Sequence, residues 1–77
     1  MRSYPKPGEI WVHFKGNRYK IVCLAVNTET EENMVVYRAG QFVYARPFGM
    51  FMSEVDRKKY PDAKQKYRFE KTNEVIK

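Results

Sequence analysis

WVHFKGNRYKIV, from Trp11 to Val22, is the stretch whose reading decides the fold. Two runs rich in Trp, Val, Phe, Tyr and Ile flank Gly16-Asn17. Such runs favour strands, and Gly-Asn between them signals a hairpin, because primed turns need a positive φ that both residues tolerate. With Gly16 and Asn17 as a two-residue tip, Phe14 opposes Tyr19, His13 opposes Lys20, Val12 opposes Ile21 and Trp11 opposes Val22. Alternation then gathers Ile10, Val12, Phe14, Tyr19, Ile21, Cys23 and Ala25 on one face. Trp11, His13, Lys15, Arg18, Lys20 and Val22 share the other. The first set is nearly all apolar and is expected to be the core face. The second, aromatic and basic, is expected to look outward, to water or a partner.

Outward from this hairpin, the elements are short. Residues 1–8 read as an extended N-terminal arm, since Pro5 and Pro7 forbid a helix, and Pro7-Gly8 fits the centre of a type II turn. Asn27 to Asn33, NTETEEN, holds no apolar residue and reads as a solvated acidic loop. Met34 to Ala39 and Phe42 to Arg46 are predicted strands joined at Gly40-Gln41. That turn puts Val35, Tyr37, Phe42, Tyr44 and Arg46 on one face and Met34, Val36, Arg38, Val43 and Ala45 on the other. Both faces are partly apolar, so pattern leaves open which one is buried. PFGMFMSEV suits a single 3₁₀ turn followed by a short strand, and Asp56 is placed to cap a helical turn that stops before Pro61. Gln65 to Glu70 is the predicted last strand, with Tyr67 and Phe69 on one face, followed by a tail over 71–77.

About five short strands in 77 residues imply one small domain over 9–70. The fold class is mostly β, an antiparallel SH3-like barrel with one short 3₁₀ or helical turn, because closure buries a bent sheet without helices. A small open sheet capped by a helical turn is the competing arrangement.

Composition bounds the function. The chain carries 43% hydrophobic and 16% aromatic residues, enough for a compact core and unlike a disordered chain. The net charge is +6, distributed as +4 over residues 1–25, −2 over 26–55 and +4 over 56–77. The lone cysteine, Cys23, sits in the apolar run IVCLAV and reads as a small buried hydrophobe with no disulfide partner in the chain. No apolar run is long enough to span a bilayer, so a cytoplasmic location is the expectation.

His13-Phe14-Lys15-Gly16 followed by Tyr19 resembles the N-terminal signature of a family of small bacterial proteins catalogued as domain of unknown function 1653. The similarity continues through Thr28-Glu29-Thr30 with Glu32, Val35-Val36-Tyr37-Arg38, Arg46-Pro47, Met50-Phe51 and Tyr67-Arg68-Phe69. The chain departs from the family pattern at Trp11-Val12, where the family usually has Tyr and a polar residue. It departs again at Glu31, where a Gly is common, and at Gly40-Gln41, where the family hairpin is longer. The resemblance implies a compact, mostly β bacterial cytoplasmic domain and no particular activity.

Catalysis by His13 would need a nucleophile to activate or a carboxylate to orient the ring, and the expected hairpin surrounds it with Lys15, Lys20 and Trp11 instead. No enzymatic role is expected. One His and one Cys do not make a tetrahedral metal site, the Glu29-Glu31-Glu32 cluster lacks the spacing of a calcium loop, and no cofactor motif is present. The expected contact surface is Trp11, His13, Lys15, Arg18 and Lys20, rings interleaved with cations, as single-stranded nucleic acid requires. Lys58, Lys59, Lys64, Lys66 and Arg68 would extend it. The alternative is a protein or peptide partner in an aromatic groove of Tyr37, Phe42 and Tyr44, with Arg46 selecting an acidic ligand.

Overall fold

The structure, a computed structural model, describes residues 3–73. It is mostly β: β1 (Ile10–His13), β2 (Arg18–Val26), β3 (Asn33–Ala39), β4 (Phe42–Pro47), the single-turn helix α1 (Phe48–Phe51) and β5 (Phe69–Lys71). All five strands pair antiparallel in one sheet of order β4-β3-β2-β1-β5. The sheet is open, with β4 and β5 as its two edges. It is the competing arrangement, and among the described residues no ladder joins the edges into a barrel.

The first hairpin forms, with a different tip. Gly16 N–H donates to the His13 carbonyl (2.7 Å) and His13 N–H to the Asn17 carbonyl (2.8 Å). Gly16 has φ 104, and Asn17 is not among the positive-φ residues. This is a three-residue loop, Phe14-Lys15-Gly16, built on a turn that ends in a glycine bulge. Trp11 therefore pairs with Tyr19, and Val12 with Arg18, instead of Val22 and Ile21. The register moves by three, an odd number, so the faces of the two strands exchange relative to one another. Trp11, expected outside, is 1% exposed in the core. Val12 and Phe14, expected inside, are half-buried.

A bulge between Ile21 and Cys23 shifts the β2–β3 register once more, so that Leu24 faces Val35. Cys23 is consequently half-buried and free, not a core residue. The β3–β4 hairpin turns at Gly40-Gln41 with Ala39 opposite Phe42, as expected, and Gly40 has φ 60. Val35 and Tyr37 are buried, which settles the face left open by pattern: Tyr44 and Arg46 lie opposite them on the inner side.

The inner face is filled by rings. Phe51 of α1 stacks on Phe69 of β5 with centroids 4.1 Å apart and planes 9° from parallel. Trp11 and Tyr37 each approach Phe51 at 5.5 Å, and Tyr19 reaches Tyr37 at 5.1 Å. Trp11, Tyr37, Phe51 and Phe69 form the core cluster with Ile21 and Val35, and Tyr19 packs against it. α1 packs on the inner side through Phe51, and the irregular segment 52–68 that follows is tied to β1 by Gln65 Nε2–H, which donates to the Val12 carbonyl. That segment is folded back on itself by Val55 N–H to the Lys66 carbonyl and Arg68 N–H to the Ser53 carbonyl, both 2.9 Å. A single bridge, Glu54 to Tyr67, is all the strand that precedes Phe69, so the last strand begins later than expected. Asp56 caps the next turn through Oδ1, which accepts from the amides of Lys58 and Lys59. The Arg57 guanidinium ties the far side of the loop to the carbonyls of Ala63 and Gln65.

The arm behaves as its prolines dictate. Glu9 N–H reaches the Lys6 carbonyl across Pro7-Gly8, with Gly8 at φ 89. Gly8 N–H then bonds to the Ile21 carbonyl (2.9 Å), and Pro5 and Ile10 are fully buried. The acidic loop is ordered around Asn27, whose Oδ1 accepts from the Glu29 and Thr30 amides. Of the expected tail, Lys71 closes β5, and positions 74–77 lie outside the described residues.

Candidate anion-binding site

The exchanged faces split the expected contact surface into three parts. Trp11 goes to the core, where its indole Nε1–H donates to Glu9 Oε1 (3.0 Å). Burial acts to raise the Glu9 carboxyl, but hydrogen bonds from Trp11, the Lys6 amide and Lys71 outweigh it and hold it below its ordinary range. Arg18 and Lys20 line a cavity of about 290 Å³ with Ile10, Tyr19 and Arg38. Lys20 and Arg38 stand directly opposite one another across the ladder, a like-charge pair. His13 and Lys15 line a different cavity, of about 310 Å³, and there the structure gathers Phe14, Arg46, Asp56, Lys59, Tyr60 and Arg68 around them.

Four chain segments build this second cavity. The hairpin loop supplies Phe14 and Lys15, and β4 supplies Arg46 from the end opposite Val35. The capped turn after Asp56 supplies Lys59 and Tyr60, and the residue before β5 supplies Arg68. Phe14 and Tyr60 meet edge to face at 4.9 Å. The Lys15 ammonium lies 5.1 Å from the Tyr60 ring centre and that of Lys59 lies 5.8 Å from it. Arg46 donates from Nε to the Tyr37 hydroxyl (3.2 Å), which leaves its two terminal nitrogens unspent, and its guanidinium lies 5.5 Å over the Phe69 ring. Arg68 Nε is buried with no hydrogen-bond partner.

His13 is half-buried, with one side on the cavity and the other against aromatic rings. Its ring packs on Phe14 (4.5 Å) and edge-on to Phe69 (4.8 Å). Nδ1 accepts from the Lys15 amide (3.2 Å), so the neutral ring carries its proton on Nε2. Burial and then the charges of Arg46, Lys15 and Arg68 push its pKa below the ordinary histidine value. The cavity is therefore lined by four cations and a neutral N–H donor against one carboxylate. That carboxylate, Asp56, already accepts from two backbone amides.

Of the alternative groove, Tyr37 is buried, Tyr44 meets its ring at 5.7 Å and Arg46 donates to its hydroxyl. Arg46 also lines the His13 cavity, and Phe42 and Tyr44 are exposed on the edge strand. Lys59 and Arg68 belong to the basic segment that the sequence offers as an extension of the surface. Phe14 is expected in the core and Tyr60 carries no expectation, and a ring beside a cation at both positions (Phe14-Lys15 and Lys59-Tyr60) is the trace of their pairing. Among the described residues no three His, Cys, Asp or Glu side chains gather as a metal site, and no helix is long and apolar enough to cross a membrane.

No curated protein and no solved structure matches the chain. Residues 9–71 match the family model described as a protein of unknown function, DUF1653, and with most of its length inside that match the chain belongs to this family.

Proposed function

We propose that the protein is a non-catalytic binding module for single-stranded nucleic acid, and that its contact site is the cavity of His13, Phe14, Lys15, Arg46, Lys59, Tyr60 and Arg68. The observation that carries this reading is the convergence of four cations and one ring pair on a single concavity whose sole acid is already engaged. Phosphate oxygens are acceptors only, and this wall offers donors almost exclusively. A base stacks on an aromatic face with a gain of ~1–3 kcal/mol, and Phe14 and Tyr60 stand at the same wall as the cations. The non-catalytic reading rests on His13, whose Nδ1 is occupied by a backbone amide and whose cavity neighbours include no serine, threonine or cysteine for it to activate.

The test is an NMR shift titration with oligothymidylate and oligouridylate at two salt concentrations. Amides of residues 13–15, 46, 59–60 and 68 should move, and affinity should fall steeply as salt rises. Lys15→Gln with Lys59→Gln should weaken binding, while Lys20→Gln with Arg38→Gln, at the other cavity, should weaken it less. Unmoved site amides at low salt would sink the reading.

A second reading has its own observation. β4 is an open edge on which Phe42 and Val43 are each 62% exposed and Tyr44 is 44% exposed. A peptide strand adding to that edge would use main-chain hydrogen bonds and apolar pockets, and its binding would respond little to salt.

A further inference from the structure

We propose that the cavity accepts the terminal phosphate of a nucleic-acid strand, a phosphomonoester, in preference to an internal phosphodiester. The inference rests on the nucleic-acid reading above and deepens it. Three observations carry it. The first is the balance of charge. Lys15, Arg46, Lys59 and Arg68 bring four positive charges to one cavity of about 310 Å³, against the single negative charge of Asp56. Among the described residues, none of the four has a carboxylate within ion-pair distance. An internal phosphodiester offers one negative charge, whereas a phosphomonoester offers about −1.5 to −2 near neutral pH and three terminal oxygens.

The second is the donor inventory. Arg46 has spent Nε on the Tyr37 hydroxyl and keeps its terminal nitrogens, the fork that meets two phosphate oxygens at once. Arg68 lines the same cavity and adds its guanidinium charge. His13, with Nδ1 occupied, presents only an N–H. A ligand that satisfies this set must bring many acceptors on one atom centre. The third is the convergence of segments. The hairpin loop, β4, the turn after Asp56 and the residue before β5 all line this one cavity, so the cations gather at a single place instead of being spaced along a strand. Gathered charge suits a phosphate that carries more than one negative charge. Cations strung along a sheet face, as at Arg18, Lys20 and Arg38, would suit the rest of a backbone better.

The experiment compares three oligothymidylates of one length, carrying a 5′-phosphate, a 3′-phosphate or hydroxyls at both ends, by fluorescence anisotropy with an internal label. At least one phosphorylated end should bind about tenfold more tightly than the hydroxyl strand, the equivalent of one strong charge-assisted contact. Inorganic phosphate should displace the phosphorylated strand. Lys59→Gln, an exposed position where folding is not at stake, should shrink the preference for the phosphorylated end. Equal affinity for all three strands, lowered alike by Lys59→Gln, would overturn the inference and leave the nucleic-acid reading standing. Absence of binding by any strand at low salt would remove both. Capture of a phosphotyrosine peptide as tightly as the phosphorylated strand would overturn the assignment to nucleic acid.

Discussion

Glu31 is the one non-glycine residue with positive φ among the described residues, at 64°. The left-handed region costs an ordinary L-residue roughly 1–2 kcal/mol. The loop tolerates it because its ends are pinned: Glu31 N–H donates to the Asn27 carbonyl (2.7 Å) and Asn27 N–H to the Glu32 carbonyl (2.8 Å). The position is the one at which the family resemblance leads a reader to expect glycine, and the backbone gives the reason. Glu31→Gly should raise the unfolding free energy by up to ~1 kcal/mol, since relief of the strained φ is partly offset by the extra freedom of an unfolded glycine. Urea denaturation of the two proteins measures it, and an unchanged or lower midpoint would show that the loop carries no strain.

At the scale of elements, α1 contributes a single turn and one fully buried side chain, Phe51, which contacts rings from β1, β3 and β5. Its helical hydrogen bonding is slight, so its role is to hold that ring over the sheet. Phe51→Ala should cost ~3–5 kcal/mol, a large part of the stability of so small a domain. Chemical denaturation should show this loss, and a loss under about 1 kcal/mol would mean that segment 52–68 collapses into the gap. Elements also show where the sequence could be read. The β3–β4 hairpin was legible, because a two-residue turn at Gly40 fixes both register and face sets. The β1–β2 register was not, because Gly16-Asn17 is equally compatible with a two-residue tip and with the last loop position and closing residue of a three-residue one. The roof over the sheet was illegible for a different reason. Residues 52–68 have no regular period, and long-range hydrogen bonds such as Gln65 Nε2 to the Val12 carbonyl leave no local trace. For the site, His13, Lys15 and Arg46 were all singled out, but in two separate sets. Only the curl of the sheet brings β4 to the hairpin loop.

For the whole molecule, two titrating groups bias stability in the same direction. The folded pKa of His13 is lowered by burial and by the Arg46, Lys15 and Arg68 charges, so the folded protein holds that proton less tightly than the unfolded chain. Stability from this source is complete above about 6.5 and is lost as pH falls through the lower folded value. Glu9 is also lowered, as hydrogen bonds from Trp11, Lys6 and Lys71 prevail over the burial that opposes them. Its share is complete above about 4.3 and is lost as pH falls further. Urea midpoints followed against pH should therefore decline in two stages on acidification. His13→Gln should flatten the first stage and Glu9→Gln the second. A midpoint that climbs between pH 7 and 5 would contradict the sign for His13, and one that climbs as pH falls below about 4.3 would contradict that for Glu9.

The strand order carries one more consequence. β1 precedes the other four strands in sequence, yet one of its two neighbours is β5, paired Trp11 to Lys71 with every other element between them. Phe69, the stacking mate of Phe51, arrives with that same last strand. A chain halted before it would leave the rings of Tyr19, Tyr37 and Phe51 without the ring that packs on them. Completion of the sheet thus waits on the three residues of β5, and a stop ahead of them would leave a sticky intermediate, not a slightly shortened domain.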